Sequence, residues 1–155
     1  AAAAANGATN FRLPMRWYTD VIAQIREAVG WHMPVRVFSD GDNEQLIEIL
    51  GLGNAERVIL VSAICDMLSF AQSTVLVASN SSYSAWASYL GRMPVVWFQG
   101  TLRARLYYDN SNTEIQTGLD ETIEIDFLEH VRQIVGRKRA RLLPSQEVEV
   151  HAGAR

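Results

Sequence analysis

Cysteine is nearly absent: Cys65 is the only one among 155 residues. That excludes an internal disulfide and a cysteine-rich metal centre and fits a reducing compartment, so a cytoplasmic setting is expected. No apolar run approaches the ~20 residues that span a bilayer, and no signal peptide is recognisable. Excess positive charge is also missing. Fourteen Lys and Arg against seventeen Asp and Glu leave a net charge of −3, which is no footprint for nucleic acid. His32, His130 and His151 are scattered, without metal-ligand spacing or a neighbouring nucleophile, so they read as surface or helix-end residues rather than catalysts. The patterns G-x-G-x-x-G, G-x-x-x-x-G-K-[ST] and G-x-S-x-G do not occur, which removes support for glycine-loop nucleotide folds and for hydrolases.

What is there reads as one globular domain. A hydrophobic share of 48% and a charged share of 20% are ordinary, and the length suffices for a core. After a featureless start over residues 1–10, Trp17, Tyr18, Val21, Ile22, Ile25 and Val29 make an apolar stripe behind Pro14, a helix that Gly30 ends. Val35-Arg36-Val37-Phe38-Ser39 reads as a strand. Leu46, Ile47, Ile49 and Leu50 mark a second helix, closed by Gly51 and Gly53. Val58-Ile59-Leu60-Val61 is the next strand-like run, followed by a short helix over residues 62–71. Strands near 35–39, 57–62, 74–78 and 94–98 with helices between them predict an α/β protein, a parallel sheet with right-handed crossovers. Residues 100–119 read as a polar loop. Phe127, Leu128, Val131, Ile134 and Val135 make a last helix, and residues 137–155 read as a basic, polar tail. Arg137, Lys138, Arg139 and Arg141 there either complement a helix dipole or touch a membrane surface peripherally.

The chain is organised around residues 73–98. Thr74-Val75-Leu76-Val77-Ala78 is a buried strand that breaks into a turn where Ser79, Ser81, Ser82 and Ser84 put four hydroxyls into six residues. Ala85, Trp86, Ser88, Tyr89 and Leu90 follow at helical spacing up to Gly91, read as the helix-ending glycine. Such a turn gathers free N–H groups and the positive end of a helix dipole, which suits phosphate; the plainer alternative is that Ser81 or Ser82 caps the helix. Asp40 and Asp42 fall at the end of a strand, where open α/β sheets place ligands. They suit ribose hydroxyls or a divalent metal, or an Asx turn and helix cap. Asp66 lies in the apolar segment Ile64-Cys65-Asp66-Met67-Leu68 and needs a partner. It either caps its own helix or accepts two N–H bonds from a guanine edge, the base edge that offers adjacent ring and amino donors.

The segments V-F-S-D-G-D, D-M-L-S-F-A-Q-S-T-V-L-V-A-S-N-S-S-Y-S-A-W-A-S-Y-L and P-V-V-W together resemble the donor-binding half of GDP-fucose-dependent fucosyltransferases. The α-1,2-fucosyltransferases are the nearest in pattern, and the resemblance covers residues 10–98. It implies a Rossmann-like domain over residues 11–136, similar to the C-terminal domain of a GT-B glycosyltransferase. It further implies GDP-fucose as donor substrate, a glycan acceptor and no metal or other cofactor. Donor-nucleotide contacts would fall on Asp66 for guanine, on Ser81, Ser82 and Ser84 for the diphosphate, and on Asp40 near the nucleoside. The family's His-x-Arg-x-Gly-Asp segment does not occur. Residues 1–5, all alanine, stand in its place and are expected to represent other natural residues. Ala85 replaces a second bulky aromatic. The chain is therefore expected to be the donor-binding part of a longer transferase, with a non-catalytic nucleotide-binding or protein-interaction module as the alternative.

Overall fold

The computed structural model describes residues 12–59, 62–102, 106 and 113–142. The expectations for residues 1–10, for His151 and for most of the tail lie outside them. Helix α1 spans Met15–Val29 behind Pro14, and buries Trp17, Val21, Ile22 and Ile25. Gly30 ends it in the left-handed region at φ 63°, its N–H donating to the Glu27 carbonyl. Strand β1 (Val35–Val37), helix α2 (Ile47–Leu50), strand β2 (Ala55–Arg57) and helix α3 (Ala63–Ala71) follow. Then come strand β3 (Leu76–Val77), helix α4 (Ser82–Gly91), strands β4 (Val95–Phe98) and β5 (Glu114–Thr117), and helix α5 (Ile125–Leu142).

The architecture is mixed α/β, with short parallel sheets flanked by helices. β1 pairs with β2, and β3, β4 and β5 pair in that order, every pair parallel. Alternation along β4 and β5 separates two packed faces. Val96 and Ile115 join Trp17, Val21 and Ile25 of α1 and Phe127, Val131 and Val135 of α5 in one core cluster. Val95 and Trp97 join Leu76, Ala78 and Met93 in another, against which Phe70 of α3 and Ala85 of α4 pack. The third cluster, Ile22, Val37, Leu46 and Ile49, also receives Val77. Side chains of β3 thus reach the β1 side of the molecule, although no backbone ladder joins the two sheets among the described residues.

The structure corrects the sequence-based expectations at five places. The expected single sheet is two ladders. β2 lies at 55–57, ahead of the apolar run, because the Val35 N–H bonds the Asn54 carbonyl and so sets the register. Val58 adds one bond to the Val37 carbonyl, and residues 60–61 lie outside the described ones. Within 100–119, expected to be loop, β5 forms. Ile115 faces the core, Glu114 accepts the Leu106 N–H, and Gln116 accepts the N–H groups of Gly100 and Leu102. The last helix continues past residue 136 to Leu142, so the start of the expected tail is helical. Arg139 lies 5.2 Å from the Trp31 ring centroid and, with Arg141, complements the last turn of the helix, while Lys138 donates to Thr74.

Gly91 is the fifth. It does not hold the left-handed cap; Arg92 does, at φ 48°, its N–H donating to the Ser88 carbonyl. Gly91 remains helical, and its missing side chain lets α3 and α4 close up: a Cβ there would lie 2.3 Å from the Ala71 carbonyl oxygen. The glycine serves packing rather than turning.

Candidate functional site

The carboxyl ends of β1, β2 and β3 carry every residue expected to contact a ligand. At the end of β3, Ser81 caps α4, its hydroxyl accepting the Ser84 N–H at 3.2 Å. Ser79, Ser81 and Ser84 then form a triangle of hydroxyls, with Oγ separations of 3.1 Å, 3.1 Å and 3.2 Å. Ser84 is buried and braces the turn from inside, whereas Ser82, the first helical residue, is exposed. Ser81 is thus the cap. That leaves the exposed face of the turn, Ser82 and the first-turn N–H groups, to meet a ligand.

Asp66 resolves differently. Ser62 caps α3, accepting the Cys65 N–H through its hydroxyl, while the Asp66 N–H donates to the Ser62 carbonyl. Asp66 therefore does not cap its helix. Its side chain is half-buried, and Oδ1 is enclosed without a hydrogen-bond partner among the described residues. A desolvated carboxylate oxygen with nothing to accept is costly unless a ligand supplies the donor.

The two loop aspartates divide. Asp42 Oδ1 accepts the Gln45 N–H at 2.9 Å and so shapes the turn before α2, the plainer of its two readings. Asp40 is exposed, and its carboxylate has no partner among the described residues. Among those residues no group of three His, Cys, Asp or Glu is placed to hold a metal ion. His32 is exposed and lies 3.1 Å from the Gly53 carbonyl, a loop contact.

Arg57 enters this edge without having stood out in the sequence. A strand placed at 58–61 puts Arg57 at its amino end, away from any ligand; the observed strand ends on Arg57 and puts it at the carboxyl end. Tyr18 lies beneath, packed against the clusters that hold β1 and β4, its ring 4.8 Å from Trp17; burial pushes its phenol up to about 12. A separate crevice of about 340 Å³ opens at the other end of the molecule, by Gln72, Thr74, Arg92 and Lys138. Two helix C-termini converge there and the cations complement them. Among the described residues no helix is long and apolar enough to cross a membrane.

Comparison with protein-family models, with curated proteins and with solved structures gave no match.

Proposed function

We propose that the chain is the donor-binding part of a glycosyltransferase, a fucosyltransferase-like enzyme that moves fucose from GDP-fucose to a glycan hydroxyl. The observation that carries this reading is Asp66, a carboxylate free of capping duty with one enclosed oxygen that has no partner among the described residues. A guanine edge offers two adjacent N–H donors to such a group. The parallel α/β order is compatible with a Rossmann-like, GT-B-type domain, whose ligands lie at the carboxyl ends of the strands. Within this reading the first-turn N–H groups of α4 and the Ser82 hydroxyl take diphosphate oxygens, and Ser84 holds the turn through Ser79 and Ser81. Asp40 faces the nucleoside. The acceptor hydroxyl attacks the anomeric carbon with inversion as GDP departs, and the chain's share is to orient the donor and stabilise the leaving diphosphate.

A thermal-shift screen with GDP, GMP, UDP, ADP and NAD tests the reading. Stabilisation by GDP well above UDP and ADP is the expected result; an equal response to all, or none, overturns it. A second reading, a non-catalytic nucleotide-binding or protein-interaction module, draws on the exposed apolar side chains of α3 and α4: Ile64, Leu68, Tyr83, Trp86 and Leu90. Guanine-nucleotide binding without any transfer from GDP-fucose in the full-length protein would favour it.

A further inference from the structure

We infer that Arg57 is an anion-binding residue that takes phosphate oxygens of the ligand at the carboxyl end of β1 and β2. Its side chain reaches across the end of β1. Nη1 donates to Asn43 Oδ1 at 2.9 Å and Nη2 to the Ser39 carbonyl at 3.1 Å. Both partners are neutral. The ion pairs among the described residues belong to Arg16, Arg36 and Arg132, not to Arg57. Asp40 and Asp42 of the adjoining loop make no ion pair with it among the described residues either. Among the described residues this half-buried guanidinium thus has no ion-pair partner, and its Nε–H is enclosed without an acceptor.

An arginine of α1 shows what a purely structural clamp looks like. Arg26 sits at the amino ends of β1 and β2 and spends Nε, Nη1 and Nη2 on the carbonyls of Met33, Leu52 and Gly53. Every nitrogen of that guanidinium is used. Arg57 holds its loop by two bonds and leaves one nitrogen, Nε, unused at the end of the strands where parallel α/β sheets take their ligands. Nε and Nη2 form the side of the guanidinium that matches two oxygens of a phosphate. Turning the side chain to exchange the Ser39 carbonyl for a phosphate would have to uncover Nε–H, and the anion would then accept from both nitrogens. The α4 turn stands at the carboxyl end of β3 in the other ladder, which packs against the first through Val77, and a diphosphate or sugar phosphate is the ligand class that two such groups of N–H donors suit.

The inference rests on the proposed site for the nucleoside only, and inorganic pyrophosphate tests the anion contact without it. Isothermal titration should show salt-dependent pyrophosphate binding to the intact chain. Arg57→Gln should weaken pyrophosphate and GDP by roughly tenfold to a hundredfold while guanosine changes little. Arg57→Lys should recover part of the loss. Asn43→Ala cuts a tether but keeps the charge, and should stay within about threefold of wild type, allowing only for a loosened loop. In the unsubstituted chain, pyrophosphate should shield Arg57 from phenylglyoxal as read by mass spectrometry, a measurement that needs no variant to fold. No pyrophosphate binding, no shielding, or an equal loss in Asn43→Ala would overturn the inference. Arg57-dependent pyrophosphate binding without any guanine preference upholds Arg57 and sinks the GDP reading. GDP binding that ignores Arg57→Gln does the reverse.

Discussion

Asp66→Asn separates a ligand-binding carboxylate from a structural one with a single change of atom type. In the free protein two small terms oppose each other. The first turn of α3 loses a negative charge near the helix N-terminus, at a cost of about 0.3–1 kcal/mol. The enclosed Oδ1 becomes part of a neutral amide, which is cheaper to bury, so the net change should be a fraction of a kcal/mol. For a chain of this length that is about 1–3 °C in Tm. Binding is another matter. A carboxylate accepts both guanine donors, whereas an amide accepts through oxygen and confronts the second donor with its own NH₂ group. GDP affinity should fall by about 1–3 kcal/mol, the worth of one bidentate base contact, with UDP and ADP nearly unaffected. Xanthosine diphosphate, which carries an oxygen where guanine carries its amino group, should bind the variant better than the parent. Calorimetric titration of the four nucleotides against both proteins reads all of this. An Asp66→Asn variant that binds GDP like its parent would refute the reasoning, as would equal losses for GDP and ADP.

Three further outcomes follow from the geometry. Gly91→Ala should destabilise the chain by about 1–3 kcal/mol in urea melts, because the new methyl meets the Ala71 backbone and Met93, outweighing the ~1 kcal/mol that alanine gains in helix propensity. A variant as stable as the parent would show that α3 and α4 do not close up there. Ser81→Ala should cost about 1 kcal/mol by removing the α4 cap, with an unchanged urea midpoint speaking against it. Burial raises the Tyr18 phenol to about 12, above its unfolded value near 10, so the folded state holds that proton longer. Its stabilising share is complete below about pH 10 and is lost as pH rises towards 12, about 3 kcal/mol in all. Tyr18→Phe should flatten that part of the pH–stability curve, and identical curves for the two proteins would contradict it.

The parts of the fold that were legible in the sequence are those where one physical demand dominates. The stripe from Trp17 to Val29 faces a single core, and Gly30 stops it at a left-handed residue, so both ends of α1 can be read. The serine turn was legible for the same reason: a short apolar strand breaks into residues that favour caps. β5 was not legible, because Ile115 is the sole apolar member of Glu114–Thr117 and the polar neighbours are satisfied by backbone donors of the preceding loop. Such partners cannot be seen before the chain folds. β2 was misplaced because its register follows the bond between Val35 and Asn54, whereas hydrophobicity points three residues downstream. That displacement also concealed Arg57. Gly91 shows the remaining limit, since a glycine beside a helix end looks like a cap whether it relieves φ or a neighbouring helix.

Where the polar demands go unmet is more telling than where the apolar ones are met. Arg57 Nε, Asp66 Oδ1, Trp97 Nε1 and Thr117 Oγ1 are each enclosed without a hydrogen-bond partner among the described residues. Arg57 ends β2, Asp66 lies in the helix turn that follows it, Trp97 is next to last in β4, and Thr117 ends β5. All four therefore lie towards the carboxyl ends of the strands. At the amino ends of β1 and β2, Arg26 instead uses every guanidinium nitrogen on carbonyls. Folding alone gives no reason for this asymmetry, since an unmet buried donor or acceptor costs about 1–3 kcal/mol at either end. A ligand with both donors and acceptors, bound along one edge, does give a reason: a base to supply N–H groups to Asp66 and an anion to accept from Arg57. Trp97 and Thr117 sit deeper and farther along, so they bear on a different part of that edge. If GDP protects the amides around residues 57 and 66 from hydrogen exchange while leaving those at 97 and 117 unchanged, the nucleotide occupies the β2–α3 side alone. Uniform protection across β4 and β5 would instead extend the ligand over the whole carboxyl edge.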